Sequence, residues 1–510
     1  MSIKMIRHTF QFALPHHWVV DGVSAAIILA LNLLFPLSTS NDFPGLGQNC
    51  ELIEQYGIKY AVNSNWGFAH TAAVYAVAQA TGSLLLAQRI INGIFVLLTL
   101  FLLQRIAFVQ LKIATSWVVT GAFIILLSSY LFADMTLSPH LDIAPITLLL
   151  VAIRRLDLKT DVPTFFTGIV IGIAFWFRFH FLVPALLFPA LVFFHSSDRR
   201  FRRAVLSAGG VFSAVSVPYM LTKIGFGVWS ISNQKALLGE MIYGENWDCD
   251  FQWNLQNIAW QQLGADFSFI ASLRRFVIDF TYHTEMFVPF LMLLTFLIAE
   301  VYAQKNTAQR SRLHTSAIVL LYLAVSILPL IFIRTSTTRL MAMFLIPAFP
   351  FLLGIVLRHV RIYGGMALVL LLTFAWRNVS QYADMRERQV KLRADIQLAE
   401  QYIPARVLAK SSHKVLATKD FFNPQSKYNI ASPVLTYAWP CRYKPFRDKF
   451  GIVRINELYT PPAHFDFLIF THSPNDSLFV YDAQLLSQNY QFMGENKYGT
   501  TVWKRKNLVQ

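Results

Sequence analysis

Eleven apolar runs fill the first three quarters of this chain, and the strongly basic short connections between them fall on alternate turns. A membrane span needs about 20 apolar residues. The runs cover 17–37, 84–103, 114–132, 138–153, 162–177, 181–194, 204–222, 286–303, 315–333, 340–357 and 362–376. With Lys4 and Arg7 on the inner side, the inner connections hold Arg105 and Lys112, Arg154, Arg155 and Lys159, then Arg199, Arg200, Arg202 and Arg203. They continue with Lys305, Arg310 and Arg312, and with Arg358 and Arg361. Lysine and arginine collect in the cytoplasmic loops of membrane proteins, so one orientation accounts for them all. The expected fold is mainly α, a polytopic transmembrane helical bundle of about eleven spans. Composition agrees: 55% of the residues are hydrophobic and 14% charged, against about a quarter charged in soluble domains. The net charge of +16 then reads as topology, and nucleic-acid binding is the wrong inference from it. The first run is too long for a signal-peptide core and ends in no clean cleavage site, so a retained span is expected.

This topology leaves residues 38–83, a turn at 133–137, a long loop at 223–285 and the tail 377–510 on the outer side. The chain therefore divides into a membrane domain, 1–376, and an extracytoplasmic α/β domain, 377–510. Residues 67–82 are weakly apolar and suit a helix lying at the interface. Trp229, Trp247, Trp253 and Trp260 suit a loop resting on lipid headgroups. In the tail, 386–402 has the pattern of an amphipathic helix, followed by strand-like runs KVLAT, FDFLIFT, SLFVYD and TTVWK. Cys50, Cys249 and Cys441 have no metal-ligand spacing; a Cys50–Cys249 bridge and three separate thiols are both open.

Ionisable groups on the outer side, where topology does not call for them, are the functional candidates. Asp42 stands in the polar stretch after the first run, where a carboxylate can act as a general base at the membrane surface; the alternative is a turn or helix cap in Asn-Asp-Phe-Pro-Gly. Asp134, His140 and Asp142 lie in FADMTLSPHLDIAP and could hold a divalent cation, magnesium or manganese, or orient a phosphate through it; the alternative is helix capping by the acids. Arg178 and His180 sit in AFWFRFHF, where an arginine must snorkel or find an anionic partner. Arg89, in LLLAQRIINGIF, invites a buried acidic partner. Arg334 and Arg339 run against the positive-inside bias, and arginine forks suit phosphate oxygens; headgroup snorkelling is the alternative. His283 and Glu285 close the long loop as candidate site residues or as an ordinary interfacial pair.

Several stretches together resemble the polyprenyl-phosphate-sugar-dependent membrane glycosyltransferases of the GT-C fold, family 39 type, in the branch of the protein O-mannosyltransferases and the aminoarabinose transferase of lipid A. They are the acid of the first outer loop, SLLLAQRIINGIFVLLTLFLLQRI, DMTLSPHLDIAPITLLLVAIRRL, FFTGIVIGIAFWFRFHFLVPALLFPAL and RLMAMFLIPAFP, followed by the α/β tail. The resemblance spans roughly 17–376 in order and spacing. It implies that Asp42 is the catalytic base and Arg339 a phosphate-facing arginine. The first loop has Asn41-Asp42 where that family commonly has an adjacent Asp-Glu pair, and NSNWGFAH where a Pro-Pro stretch often follows.

The expected activity is transfer of a sugar, with inversion, from a polyprenyl-phosphate sugar to a lipid, glycan or protein acceptor. The expected place is a bacterial inner membrane, among membrane lipids, with the N-terminus cytoplasmic and the site and tail periplasmic. Arg89, Arg178, His180, His283, Glu285, Arg334 and Arg339 are the expected substrate contacts. A transporter or flippase of a lipid-linked saccharide could use the same arginines without breaking a bond. A scaffold that binds a partner through its tail is the remaining alternative.

Overall fold

The computed structural model describes residues 16–37, 43–63, 67–138, 142–157, 161–196, 198–226, 310–332, 337–409, 415–417, 421–429, 465–471 and 490–506, with shorter pieces at 288, 291–292, 294–296 and 487. Helices dominate. They are α1 (His16–Leu34), α2 (Phe43–Tyr56), α3 (Phe68–Thr81), α4 (Leu84–Arg105), α5 (Trp117–Leu127), α6 (Tyr130–Leu137) and α7 (Ile143–Arg154). Then follow α8 (Asp161–Phe177), α9 (Leu182–His195), α10 (Arg200–Phe226), α11 (Arg310–Phe332), α12 (Thr337–Arg358), α13 (Val360–Tyr402) and α14 (Ala405–Ala409). Among the described residues, Leu84–Gln110, Arg200–Gly225 and Val360–Tyr402 are long and apolar enough to cross a membrane, and α5 with α6 would make a fourth span bent by 49°. Shorter apolar helices fill most of the other expected positions.

Small residues set the closest packing in the bundle. Gly168 and Gly172 on α8 face Ser207, Gly210 and Ala214 on α10; a Cβ on Gly168 would collide with the Ser207 carbonyl, and one on Gly210 with the Phe165 carbonyl. Lipid tails are as apolar as leucine, so membrane helices gain little from apolar contact alone and associate through such close backbone approach. Trp176 Nε1 donates across this seam to the Ala214 carbonyl, at 2.8 Å.

One local expectation is corrected. The stretch 133–137 is not a turn: the chain bends at Ser128–Ser129 and then continues as α6 through Leu137. Both serine hydroxyls fold back on backbone carbonyls, Ser128 Oγ on Ile125 and Ser129 Oγ on Leu126, a competition with the helical ladder that bends helices. In the outer stretch after α1, a helix, α2, follows Asn-Asp-Phe-Pro-Gly, one of the two outcomes left open there. Pro44 falls in the first turn, where a missing N–H costs nothing. Leu46, Cys50 and Ile53 form the buried stripe of α2 at helical spacing. Cys50 is a buried free thiol.

The helix α13 carries the chain out of the bundle. Its 43 residues span about 65 Å at 1.5 Å per residue, roughly twice the thickness of a bilayer core. The expected boundary at 376/377 falls inside this continuous helix. Its first half exposes Leu368, Leu371, Leu372 and Trp376, and its second half buries Gln389, Leu392, Asp395, Leu398 and Ala399. There it meets a four-stranded sheet of order β1-β2-β4-β3, made of β1 (Val415–Ala417), β2 (Phe467–Phe470), β3 (Tyr490–Glu495) and β4 (Thr501–Arg505). β1 and β2 are parallel and the other pairs antiparallel. Three strands lie in the expected runs; β3 is an addition, and SLFVYD lies outside the described residues. The Asp395 carboxylate accepts from Thr500 Oγ1 (2.6 Å) and Asn496 Nδ2 (2.7 Å), tying the β3–β4 turn to the helix.

Candidate active site

Three of the residues singled out in the sequence converge where α7 begins and α8 ends. Asp142 immediately precedes α7, but its side chain does not cap that helix. It is 1% exposed and receives Arg178 Nε at 2.5 Å and Arg178 NH2 at 3.5 Å. Arg178 follows the last turn of α8 and is itself buried, so the anionic partner expected for it is Asp142. His180 Nε2 stands 3.7 Å from the same carboxylate oxygen. A guanidinium and a carboxylate this far from water serve as each other's counter-charge. The imidazole adds a proton-carrying group beside them. Asp134 lies within α6 and is half-buried.

Arg89 behaves differently. Among the described residues its hydrogen bonds go to neutral oxygens: NH1 donates to Asn32 Oδ1 at 2.8 Å, and NH2 donates to the carbonyls of Phe35 and Leu37, each at 3.0 Å. These oxygens close the C-terminal end of α1, which carries the negative pole of the helix and leaves its last carbonyls without intrahelical donors. Gln389 of α13 holds the same spot, its Oε1 accepting from Leu37 N at 3.0 Å and its Nε2 donating to Leu37 O at 3.3 Å. Among the described residues Arg89 thus serves as a cap on the end of α1, and Asp42, the acid of the loop that begins there, lies outside them.

The neighbours of Arg89 on α4 do the same for α6. Asn92 Nδ2 donates to the Thr136 and Ser138 carbonyls at 3.1 and 2.9 Å, and Gln88 Nε2 donates to Ser138 O. One polar turn in an otherwise apolar helix therefore fixes the roots of two loops. The loop after Leu37 leads to Asp42, and the loop after Ser138 leads through His140 to Asp142. Neither Gln88, Asn92 nor Gln389 stood out in the sequence, although three polar residues within LLLAQRIINGIF were the available signal.

The far end of the first loop is fixed as tightly. Gly67 has φ +88, and a Cβ there would collide with the carbonyls of Trp176 and Phe177, so glycine suits both the left-handed backbone and the close approach. Phe68 packs on Trp176, ring centroids 5.2 Å apart. The loop thus leaves α1 at the Arg89 cap and returns against the two residues that precede Arg178. Within it, Glu51 on α2 is pushed up to about 7 by burial and by the nearby Glu54 charge, and burial pushes the Cys50 thiol well up.

Asp42, His140, His283, Glu285 and Arg334 lie outside the described residues, as do Cys249 and Cys441. Arg339 is in the first turn of α12, its side chain outside the description. Among the described residues, no group of three or more His, Cys, Asp or Glu side chains could hold a metal ion.

No family model and no curated protein matches the sequence. Solved structures do match. The crystal structure of ArnT from Cupriavidus metallidurans bound to undecaprenyl phosphate aligns with 98% of this chain and 100% of its own, at a TM-score of 0.55 and 11% identity. The chain has the ArnT fold. The apo form of the same ArnT aligns with 96% of this chain and 97% of its own, at a TM-score of 0.53 and 11% identity. Likeness to ArnT thus runs through the helical bundle and the tail alike, and at this identity it concerns the fold.

Proposed function

We propose that this chain is an integral membrane glycosyltransferase that takes a sugar from a polyprenyl-phosphate sugar. The observation that carries the reading is the full-length ArnT fold, whose solved relative holds undecaprenyl phosphate, the carrier such a reaction would release. The Arg178–Asp142–His180 group beside the anchored first loop supplies the chemistry such a site needs.

In this reading an acceptor hydroxyl or amine attacks the anomeric carbon as the bond from that carbon to the phosphate oxygen breaks, with inversion. The acceptor proton passes to the Asp42 carboxylate, and the electron pair of the broken bond stays on the polyprenyl phosphate. Arg334 and Arg339 hold the leaving phosphate, and guanidinium forks match its oxygens. Arg178 stands next to them in role: Asp142 orients its guanidinium, and a phosphate would compete with that carboxylate for it. His180 orients the acceptor or carries its proton onward. His283 and Glu285 complete the mouth of the site. The acceptor is a lipid, glycan or protein on the periplasmic side of a bacterial inner membrane.

A divalent cation at Asp134, His140 and Asp142 would share the Asp142 carboxylate with Arg178. If the cation is part of the site, chelation lowers turnover and added magnesium or manganese restores it.

The direct test measures binding of an undecaprenyl-phosphate sugar to wild type and to Arg339→Ala in nanodiscs, following release of carrier phosphate alongside. Binding lost in the variant with release by wild type supports the reading. Binding without release when acceptors are supplied favours a transporter, and absence of binding by wild type contradicts a donor site of this class.

A further inference from the structure

Beyond the contacts that α13 makes through Asn378, Tyr382 and Gln389, the tail reaches back into the membrane domain through the segment Phe421–Asn429. It is a closed loop: Asn423 N donates to Asn429 O at 3.0 Å, Asn429 Nδ2 to Asn423 O at 3.3 Å, and Asn423 Nδ2 anchors it to Leu408 O at 2.9 Å. Asn429 has φ 56, a left-handed conformation that asparagine tolerates better than most residues. Phe421, Phe422, Asn423, Tyr428 and Asn429 are all buried.

This loop seats on the start of α4. Leu84 N donates to Lys427 O at 2.9 Å, Leu85 N to Asn429 Oδ1 at 3.1 Å, and Leu86 N to Ser83 Oγ at 3.3 Å. The tail therefore satisfies two of the amide groups that a helix leaves open at its N-terminus. The same loop grips α2. Phe422 packs on Phe43 with ring centroids 5.7 Å apart. Lys427 Nζ donates to Glu54 Oε1 at 3.3 Å and to Gln79 Oε1 at 2.6 Å. The Tyr428 hydroxyl donates to Glu54 Oε2 and accepts from Gln79 Nε2 at 2.9 Å. Burial and the adjoining carboxylate hold the Tyr428 phenol well above its ordinary pKa, so it remains the donor.

We infer that Phe421–Asn429 is a positioning clamp, built by the C-terminal domain, that sets α2 and hence the first loop, with Glu54, Lys427 and Tyr428 as positioning residues. This rests on the transferase reading, because it gives the placement of α2 a consequence for the residue directly before it in sequence, Asp42. At 14 residues, α2 is of a length at which an isolated helix is marginal. It needs tertiary contacts to hold one position, and the tail supplies a ring stack, an ion pair and a phenol hydrogen bond. A base set on such a helix gains rate through its placement, and displacement of about 1 Å can cost about 100-fold.

The test uses the full chain in nanodiscs with three variants: Lys427→Ala, Tyr428→Phe, and the reversal Glu54→Lys with Lys427→Glu. Three quantities are read: amide exchange in peptides of 43–56, the Kd for an undecaprenyl-phosphate sugar, and kcat. The clamp predicts faster exchange in 43–56 for the single variants. It also predicts a kcat lowered about 10- to 100-fold, Kd changed less than about 3-fold, and recovery of both exchange and kcat in the reversal. Unchanged exchange overturns the clamp whatever the activity. Faster exchange with full kcat overturns its positioning role. A wild type that binds donor and never turns over sinks the transferase reading, and the exchange measurement then decides the clamp by itself.

Discussion

Arg89 and Arg178 look alike in the sequence, each a lone arginine in a long apolar stretch, yet the structure gives them opposite kinds of partner. Arg178 is paired with a buried carboxylate; Arg89 is surrounded by neutral oxygens at the end of α1. The difference lies in what each neighbour is missing. A helix end lacks donors, so Arg89 supplies hydrogen bonds and keeps its charge against a partial negative pole. Asp142 lacks a counter-charge, so Arg178 supplies a whole one. The first arrangement fastens a loop. The second stores a matched pair of charges next to that loop, where the proposed donor phosphate would compete for the guanidinium.

The comparison breaks most sharply at Asp142. Asp142→Asn leaves a buried, uncompensated guanidinium, and a loss of about 3–5 kcal/mol is expected, read as a fall in unfolding midpoint in detergent. Replacing both members, Arg178→Met with Asp142→Leu, should recover most of that stability while donor binding stays lost. Recovered binding in the double variant would show that the pair is only structural.

Arg89→Met should cost less, about 1–3 kcal/mol, because it strips donors from buried carbonyls without stranding a charge. Arg89→Lys should recover part of it. A loss at Arg89 as large as that at Asp142 would mean that it also answers a full negative charge.

The smallest effect is expected at Glu51, raised from 4.5 to about 7. The folded state holds this proton more tightly than the unfolded chain does. Its contribution to stability is therefore complete below pH 4.5 and is lost as pH rises through 7. Glu51→Gln should flatten the pH dependence of stability across that window and leave the mutant relatively more stable at pH 8; an unaltered profile would contradict the shift.

Much of the bundle was legible because span length and basic connections follow from the bilayer itself. Tertiary hydrogen bonding was less so. Composition marked Arg178 as needing an anion, and an outer-side acid, Asp142, is the one it found. Nothing in composition foretells the neutral oxygens at the end of α1 to which Arg89 donates. The bend at Ser128–Ser129 was hidden because two serines in an apolar run break the ladder only by folding back on it. The apolar stripe of α2 was obscured by Asn-Asp-Phe-Pro-Gly, a turn signal followed here by a helix. The Lys427–Glu54 pair joins residues more than 370 positions apart, a distance over which no local pattern reports.

The central claim is that a bond between sugar and carrier phosphate is broken with Asp42 as base. In a single-turnover experiment in nanodiscs, wild type and Asp42→Asn are loaded with an undecaprenyl-phosphate sugar and mixed with lipid, glycan and protein acceptors, and freed carrier phosphate is counted. Comparable donor binding by both proteins, with release by wild type and a loss of about 100-fold or more in the variant, is the expected result. Equal release by the two proteins would contradict the assignment of Asp42, and release by neither would contradict the transferase itself.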